Sequence, residues 1–191
     1  MASPRDARIR DGAITMPEIF RTERLIIRDI SLDDVDDAFR IYSSRRFAEI
    51  FAMPPVETKE EMRIKLQERI ERTNSYDEGF GMWAIQRIEE GDMVGLVALK
   101  PLGETGLIEV GWHLWPEVWG RGFATEAGQA AIKHGFETMR LDQITAIIRP
   151  ENVLSQGVAK RLGMQKTNQQ SIHAEMIHDH WTINREDWIR P

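Results

Sequence analysis

The sequence predicts an α+β fold, a central mixed and mostly antiparallel sheet of about seven strands flanked by four helices. Three observations predict it. Residues 82–114 hold three short strand-like runs, separated by turns short enough for antiparallel hairpins. Residues 107–163 alternate strand, helix, strand, helix, the order of a parallel crossover, which puts a ligand at a strand's carboxyl end. Two helical stretches precede the meander, and two further strands close the chain.

The elements follow in order. Leu25–Ile30 is short and β-branched and reads as a strand. Ser31 caps the next helix, with Asp33 and Asp34 in its first turn and Val35, Ala38, Phe39 and Tyr42 at helical spacing. The stretch Arg45–Val56 ends in Met53-Pro54-Pro55 and is expected to be irregular. Thr58 and Glu61 form a capping box, and Met62, Leu66 and Ile70 make the stripe of a second helix ending near Asn74-Ser75. Strands are expected at Met82–Ile88, Met93–Lys100 and Leu107–Leu114. After a glycine-rich turn comes a helix carrying Ala124, Gly128, Ala131 and Gly135 on one stripe, small enough for close approach to a sheet. Asp142–Arg149 is a strand stopped by Pro150. Asn152 opens a helix with Val158 and Leu162 inward and Gly163 at its end. Met164–Trp188 reads as two strands joined around Ser171–Glu175. Residues 1–20 are expected to be a loose N-terminal extension and residues 21–191 a single domain.

Composition narrows the function classes. The 191 residues are 41% hydrophobic and 29% charged, as in a soluble globular protein. The net charge of −6 and the lack of a basic block argue against nucleic acid and are compatible with a cationic, amine-bearing partner. Absence of cysteine excludes disulfides, thiolate metal sites and a cysteine nucleophile, and suits a cytoplasmic protein. No apolar run reaches about 18 residues, so no membrane span is expected. Arg5, Arg8 and Arg10, partly balanced by Asp6 and Asp11, precede no apolar region, so the start does not read as a secretory signal; a targeting peptide is the weaker alternative.

The run Trp119-Gly120-Arg121-Gly122-Phe123-Ala124 lies between an apolar strand and a helix of small residues. Its two glycines let the backbone curl, and the first N–H groups of the following helix have no intrahelical partner. They converge where the helix dipole favours an anion, so the run reads as a pyrophosphate cradle. It is not a P-loop, because no Gly-Lys-Ser/Thr occurs, nor a dinucleotide fingerprint, because Thr125 stands where the third glycine belongs.

The arrangement resembles the GNAT superfamily of acyl-CoA-dependent N-acyltransferases, whose phosphate loop is Gln/Arg-x-x-Gly-x-Gly/Ala. Gly122 and Ala124 fill its last two positions. Trp119 departs from the usual Gln or Arg, and that departure is the habit of the ribosomal-protein N-terminal (RimJ/RimL-type) acetyltransferase branch. Thr22-Glu23-Arg24-Leu25, Trp83-Ala84-Ile85, Glu109-Val110-Gly111-Trp112, Asn152-x-x-Ser155, Arg161-Leu162-Gly163-Met164 and Thr182–Trp188 resemble that branch in order, over roughly residues 20–190. The resemblance implies a GNAT fold and acetyl-CoA as cosubstrate. It also implies a primary amine as acceptor, with a protein N-terminal α-amine as the leading candidate. A small-molecule amine (polyamine, aminoglycoside or amino-acid derivative) or a non-catalytic CoA-binding sensor are the rivals. A homodimer is suggested by resemblance alone.

Amide formation from a thioester needs a held CoA, a polarised carbonyl, a neutral amine and a stabilised leaving thiolate. Without cysteine, direct attack in a ternary complex is favoured. Backbone N–H groups of Trp119, Gly120, Arg121, Gly122, Phe123, Ala124 and Thr125 are expected to bind the pyrophosphate. Arg121 adds charge unless it is a solvated surface residue. In the superfamily the strand before this loop splays from its neighbour, and its backbone, here Trp112–Leu114, pairs with pantetheine. Glu109 is the candidate base, on a central strand where desolvation would raise its pKa, or else a structural glutamate. His113, on the same strand face, is the runner-up, against an ordinary packing role. Asn152 is expected at the pantetheine amides and Ser155 at the leaving thiolate, in place of the tyrosine many superfamily members use seven residues on, where Ala159 stands here. Their competing reading is a simple N-cap and first-turn residue. His178-Asp179-His180 puts two imidazoles on one face without a third ligand, so no metal is expected, and the motif reads as acceptor-cleft lining or plain surface.

Overall fold

The computed structural model describes residues 8–10, 13–15, 18–173 and 175–188. Arg5, Asp6 and Asp11 lie outside the described residues. Two short strands, β1 (Arg8–Arg10) and β2 (Ala13–Thr15), pair with each other, so strand pairing reaches into the segment expected to be a loose extension. The main sheet follows with β3 (Glu18–Arg21), β4 (Leu25–Asp29), β5 (Gly81–Arg87), β6 (Met93–Pro101), β7 (Ile108–Leu114), β8 (Gln143–Ile148), β9 (Gln165–His173) and β10 (Met176–Asn184). Its order is β3-β4-β5-β6-β7-β8-β10-β9, with the parallel pair at β7 and β8. This is the α+β architecture expected, with eight strands in the sheet among the described residues rather than about seven.

The helices are α1 (Val35–Tyr42), α2 (Arg45–Phe51), α3 (Lys59–Asn74), α4 (Phe123–Lys133) and α5 (Val153–Arg161). Ser31 and Asp34 form a reciprocal capping box ahead of α1. Thr58 caps α3 by accepting from the Glu61 N–H at 3.1 Å, whereas the Glu61 carboxylate accepts from the N–H of Glu57 rather than of Thr58. α2 corrects the expectation of an irregular Arg45–Val56. Ser44 accepts from the Phe47 N–H, Phe47 and Phe51 stack four residues apart, and Ala52 ends the helix at φ 48° before the two prolines. The prolines stop this helix rather than prevent it.

Two cores enclose the sheet. On one face, Val110, Trp112 and Leu114 of β7 and Ile144, Ala146 and Ile148 of β8 pack with α4 and α5. On the other, Ala84 and Leu96 pack with Ala38, Ile41, Tyr42, Phe47, Met62 and Leu66 from α1, α2 and α3. The small-residue stripe that runs through α4 to Gly135, just beyond its end, serves both a helix and the sheet. A Cβ on Gly128 would lie 2.9 Å from Leu162, the C-cap of α5, and one on Gly135 would lie 2.7 Å from Ile144 of β8. Among the described residues no helix is long and apolar enough to cross a membrane.

Candidate active site

The site lies where β7 and β8 part. Trp115 donates its N–H to the Val94 carbonyl at 2.9 Å, and β7 pairs with β6 as Leu114 with Gly95 and Glu109 with Lys100. In an antiparallel ladder, bonding direction alternates, so Glu109, Gly111 and His113 bond to β6 and the main-chain groups of Trp112 and Leu114 face β8. β8 meets β7 in register at Glu109 and Thr145 alone. Beyond that pair the strands diverge, and the Trp112 and Leu114 backbones face the opening.

A cavity of about 550 Å³ fills this opening. Trp112 and Leu114 line one wall, Asn152, Ser155 and Val158 the other, and Gly120, Gly122, Phe123, Ala124 and Thr125 its outer end. Ile50 and Phe51 of α2 close it from above, so the helix that sequence reasoning missed forms part of the site.

At the outer end Gly120 and Gly122 take φ of 79° and 84°, a left-handed backbone that suits glycine. Gly122 is the N-cap of α4, and the first helical bond runs from the Glu126 N–H to the Gly122 carbonyl at 3.0 Å. The N–H groups of Phe123, Ala124 and Thr125 therefore precede the intrahelical ladder. A Cβ built on Gly120 would meet nothing within 4 Å, so the curl stands open. Not every N–H of the run is available: Trp119 donates to the Pro116 carbonyl at 3.2 Å and Arg121 to that of Val118 at 3.4 Å. Among the described residues, the N–H groups of the run left without a backbone partner are those of Gly120 and Gly122–Thr125. The indole N–H of Trp119 bonds the Leu114 carbonyl at 2.8 Å, tying the loop to the end of β7.

The cradle is clamped from behind by residues to which the sequence reading gave no role. Glu126 accepts from the Thr22 hydroxyl at 2.6 Å, the Arg24 N–H at 3.0 Å and the Arg24 Nε at 2.7 Å. Arg24 also donates to the Arg121 carbonyl at 3.0 Å and lies over the Phe123 ring. Burial pulls the Glu126 carboxyl up, but the Thr22 and Arg24 donors outweigh it and hold it below the usual carboxylate range. The signal was present as two separated runs, Thr22–Leu25 and Trp119–Ala127, whose contact is tertiary. Arg161 of α5 adds a cation at the rim, its Nε donating to the Thr125 hydroxyl at 3.1 Å. The Arg121 guanidinium lies over the Phe123 ring, 5.0 Å from its centroid.

Asn152 caps α5, its Oδ1 accepting from the Ser155 N–H at 3.0 Å, and both residues line the cavity. Cap and site residue are thus one arrangement, because the cap leaves the Asn152 amide NH₂ and the Ser155 hydroxyl unused.

Glu109 and His113 lie elsewhere. Side chains alternate along β7, so both project from the face opposite Trp112 and Leu114. The candidates do not converge on one wall: Ser155 is on the cavity side, Glu109 and His113 across the sheet. Glu109, its side chain 16% exposed, forms an ion pair with Lys100, its cross-strand neighbour. His113 packs against Tyr42, Phe47 and Phe51 and shares a 3.0 Å hydrogen bond with the Tyr42 hydroxyl through Nδ1. Burial holds its imidazole far below the usual range, at about 3, and the Arg69 and Lys100 cations add to the effect. Phe51 touches the His113 ring and also lines the cavity, so it marks where the two sides meet.

Gly111 and its neighbour on β6, Ala98, make a low floor between Glu109 and His113. A Cβ on Gly111 would meet Glu109 Oε1 alone, at 3.8 Å. Gly111, Glu109, His113 and Ile147 are all partly open to solvent on this face. His178, Asp179 and His180 are buried, which corrects the plain-surface alternative. Among the described residues no group of three His, Cys, Asp or Glu side chains is placed to hold a metal ion.

The comparisons with known proteins agree with this geometry. Residues 24–165 match the acetyltransferase (GNAT) domain family. The chain is 27% identical over 150 residues to the uncharacterized N-acetyltransferase YoaA of Bacillus subtilis strain 168, covering 78% of this chain and 83% of that one. Among solved structures, it resembles a putative ribosomal-protein-serine acetyltransferase from Vibrio cholerae, with a TM-score of 0.73 at 20% identity, over 88% of this chain and 99% of the other. It also resembles a spermidine N-acetyltransferase from Vibrio cholerae solved with CoA and spermine, with a TM-score of 0.68 at 16% identity, over 87% and 98%. At these identities the structures speak for the fold.

Proposed function

This chain belongs to the GNAT acetyltransferase family and is an acyl-CoA-dependent N-acetyltransferase, and on that premise we propose that it moves an acetyl group from acetyl-CoA to a primary amine within a ternary complex. The observation that carries the reading is the divergence of β7 from β8 beside an open helix N-terminus. Together they supply a slot for pantetheine and a cradle for pyrophosphate.

The N–H groups of Gly120 and Gly122–Thr125 hold the pyrophosphate, with Arg121 and Arg161 at the rim. Trp112 and Leu114 pair with pantetheine through the main chain and polarise the thioester carbonyl, as oxyanion donors do. Asn152 donates its amide NH₂ to pantetheine. The amine enters from the Gly111 side of the sheet, where a Cβ on Gly111 would meet Glu109 alone. Its nitrogen attacks the thioester carbon and the carbon–sulfur bond breaks; the Ser155 hydroxyl donates a hydrogen bond to the departing thiolate, which takes up the proton that the nitrogen sheds as the amide forms. Glu109 takes the proton of the ammonium, directly or through water. A base needs a pKa near the working pH, and an imidazole held near 3 is a weak one, so His113 packs against Tyr42, Phe47 and Phe51 rather than handling the proton.

The acceptor we favour is a protein N-terminal α-amine, supported by the loop's resemblance to the RimJ/RimL-type branch and by a fold neighbour named for a ribosomal protein. A polyamine is the second reading, supported by the neighbour solved with spermine. Thiol release from acetyl-CoA, measured with alanyl and seryl tetrapeptides, spermidine and kanamycin, tests both. Turnover of a peptide alone selects the first, turnover of spermidine alone the second, and none with any amine contradicts the enzyme reading. With a turned-over amine, Glu109→Gln is expected to lower kcat about 100-fold at unchanged CoA affinity. Parent-like kcat would remove Glu109 from the base role.

A further inference from the structure

Phe51, the last residue of α2, borders the cavity beside Ile50, and its ring is backed by other rings. It stacks on Phe47, with centroids 4.3 Å and planes 21° apart, and meets the His113 ring edge-on at 4.6 Å. Phe47 is fully buried and itself packs on Tyr42 at 5.0 Å and on His113 at 5.3 Å. The hydrogen bond between the Tyr42 hydroxyl and His113 Nδ1 closes the group. A ring packed in this way cannot withdraw without losing its stacked and edge contacts, and close-packed neighbours give little room for it to turn. Phe51 is therefore a firm wall of the cavity rather than a yielding cover.

The place of this wall along the cavity gives it a use. His113 lies between Trp112 and Leu114 on β7, so Phe51 stands beside the stretch of main chain that polarises the thioester carbonyl in the proposed reaction. A thioester carbon is planar, and its oxygen, its sulfur and its acyl chain point apart. With the oxygen at the β7 main chain and the sulfur at Ser155, the acyl chain takes the remaining direction. Of the cavity walls, the one that neither β7, α5 nor the cradle supplies is that of Ile50 and Phe51.

We propose that Phe51 limits the length of the acyl chain, so that the cavity takes an acetyl group and turns away longer acyl-CoA thioesters. This rests on the thioester lying between the β7 main chain and Ser155. A methyl group fits against the ring, whereas each further methylene has to displace a side chain that Phe47 and His113 hold in place. One methylene too many in an apolar pocket costs about 10- to 200-fold in discrimination.

The test is isothermal titration of the parent, Phe51→Ala and Phe51→Leu with acetyl-CoA and butyryl-CoA, together with thiol release from both in the presence of an alanyl tetrapeptide, spermidine or kanamycin. The readout is the ratio of the two affinities within each protein, so that a general loosening of α2 cancels. The parent is expected to bind butyryl-CoA at least about tenfold more weakly than acetyl-CoA. In Phe51→Ala the ratio is expected to fall below about threefold, and in Phe51→Leu to lie between. Where Phe51→Ala does not fold, Phe51→Leu decides alone. A parent that binds both thioesters equally overturns the assignment, and so does a ratio that neither variant changes. Acetyl transfer to an amine with equal acyl affinities removes the wall and leaves the transferase reading intact. Acyl affinities that behave as expected, with no acetyl transfer to any amine, support the wall and remove the transferase reading.

Discussion

Glu126→Gln tests whether the cradle is held by its clamp. The Glu126 carboxylate accepts three hydrogen bonds from Thr22 and Arg24 and lies 2.5 Å from the Arg24 guanidinium. Hydrogen bonds to a charged group are worth about 1.5–3 kcal/mol each, and a partly exposed ion pair up to about 1 kcal/mol. The Glu126 side chain is 16% exposed and that of Arg24 47%, so the Arg24 side-chain share is discounted for solvent. A glutamine keeps one acceptor oxygen but turns an NH₂ toward Thr22 or the guanidinium. The net loss works out at about 2–3 kcal/mol, and the unfolding temperature is expected to fall about 4–12 °C in a chain of this length. Arg24 also holds the Arg121 carbonyl, so its release loosens the curl. Acetyl-CoA affinity is expected to weaken about tenfold, with kcat at saturation changed less than about threefold. Scanning calorimetry and a titration with acetyl-CoA read the two effects. A melting temperature within about 1 °C of the parent and CoA affinity within about twofold would refute the clamp.

Two further predictions concern the cradle and acid stability. Gly122→Ala puts a Cβ at φ 84° and 3.3 Å from Arg24 Nη2, costing about 1–2 kcal/mol, so CoA affinity should fall more than about tenfold with a melting loss of a few degrees. Equal CoA affinity in that variant would show that the curl does not touch the ligand. The His113 imidazole titrates at about 3 in the fold against 6.5 for an unperturbed histidine, so the unfolded chain binds the proton first. Stability should therefore decline as pH falls from about 7 to about 5, and less steeply in His113→Phe. The depressed Glu126, Asp92 and Asp179 carboxyls act in the same direction at lower pH, each losing its contribution as it protonates. Equal slopes in chemical denaturation of parent and variant would assign the decline to other groups.

Local signals carried most of the fold. The meander, both β7 and β8, and the caps at Ser31, Thr58 and Asn152 depend on residues a few positions apart, and the structure has them close to the expected bounds. α2 was hidden because its seven residues are soon followed by the Pro54-Pro55 pair and because it is short, with Phe47 its one buried residue. The edge strand Glu18–Arg21 carries no alternation of its own and exists because β4 offers it an edge. The cradle was legible because glycine spacing is local. Its clamp was not, since Arg24 and Glu126 meet across the fold. The Lys100–Glu109 pair was missed for the same reason: a strand register joins residues nine apart.

Isothermal titration of the purified protein with acetyl-CoA, with NADH and ATP as controls, tests the central claim most directly. Selective micromolar binding of acetyl-CoA, weakened in Gly122→Ala, is the predicted result. Heat that is absent or equal for all three ligands would contradict it, and the open curl at Gly120 and Gly122 would be a turn without a ligand.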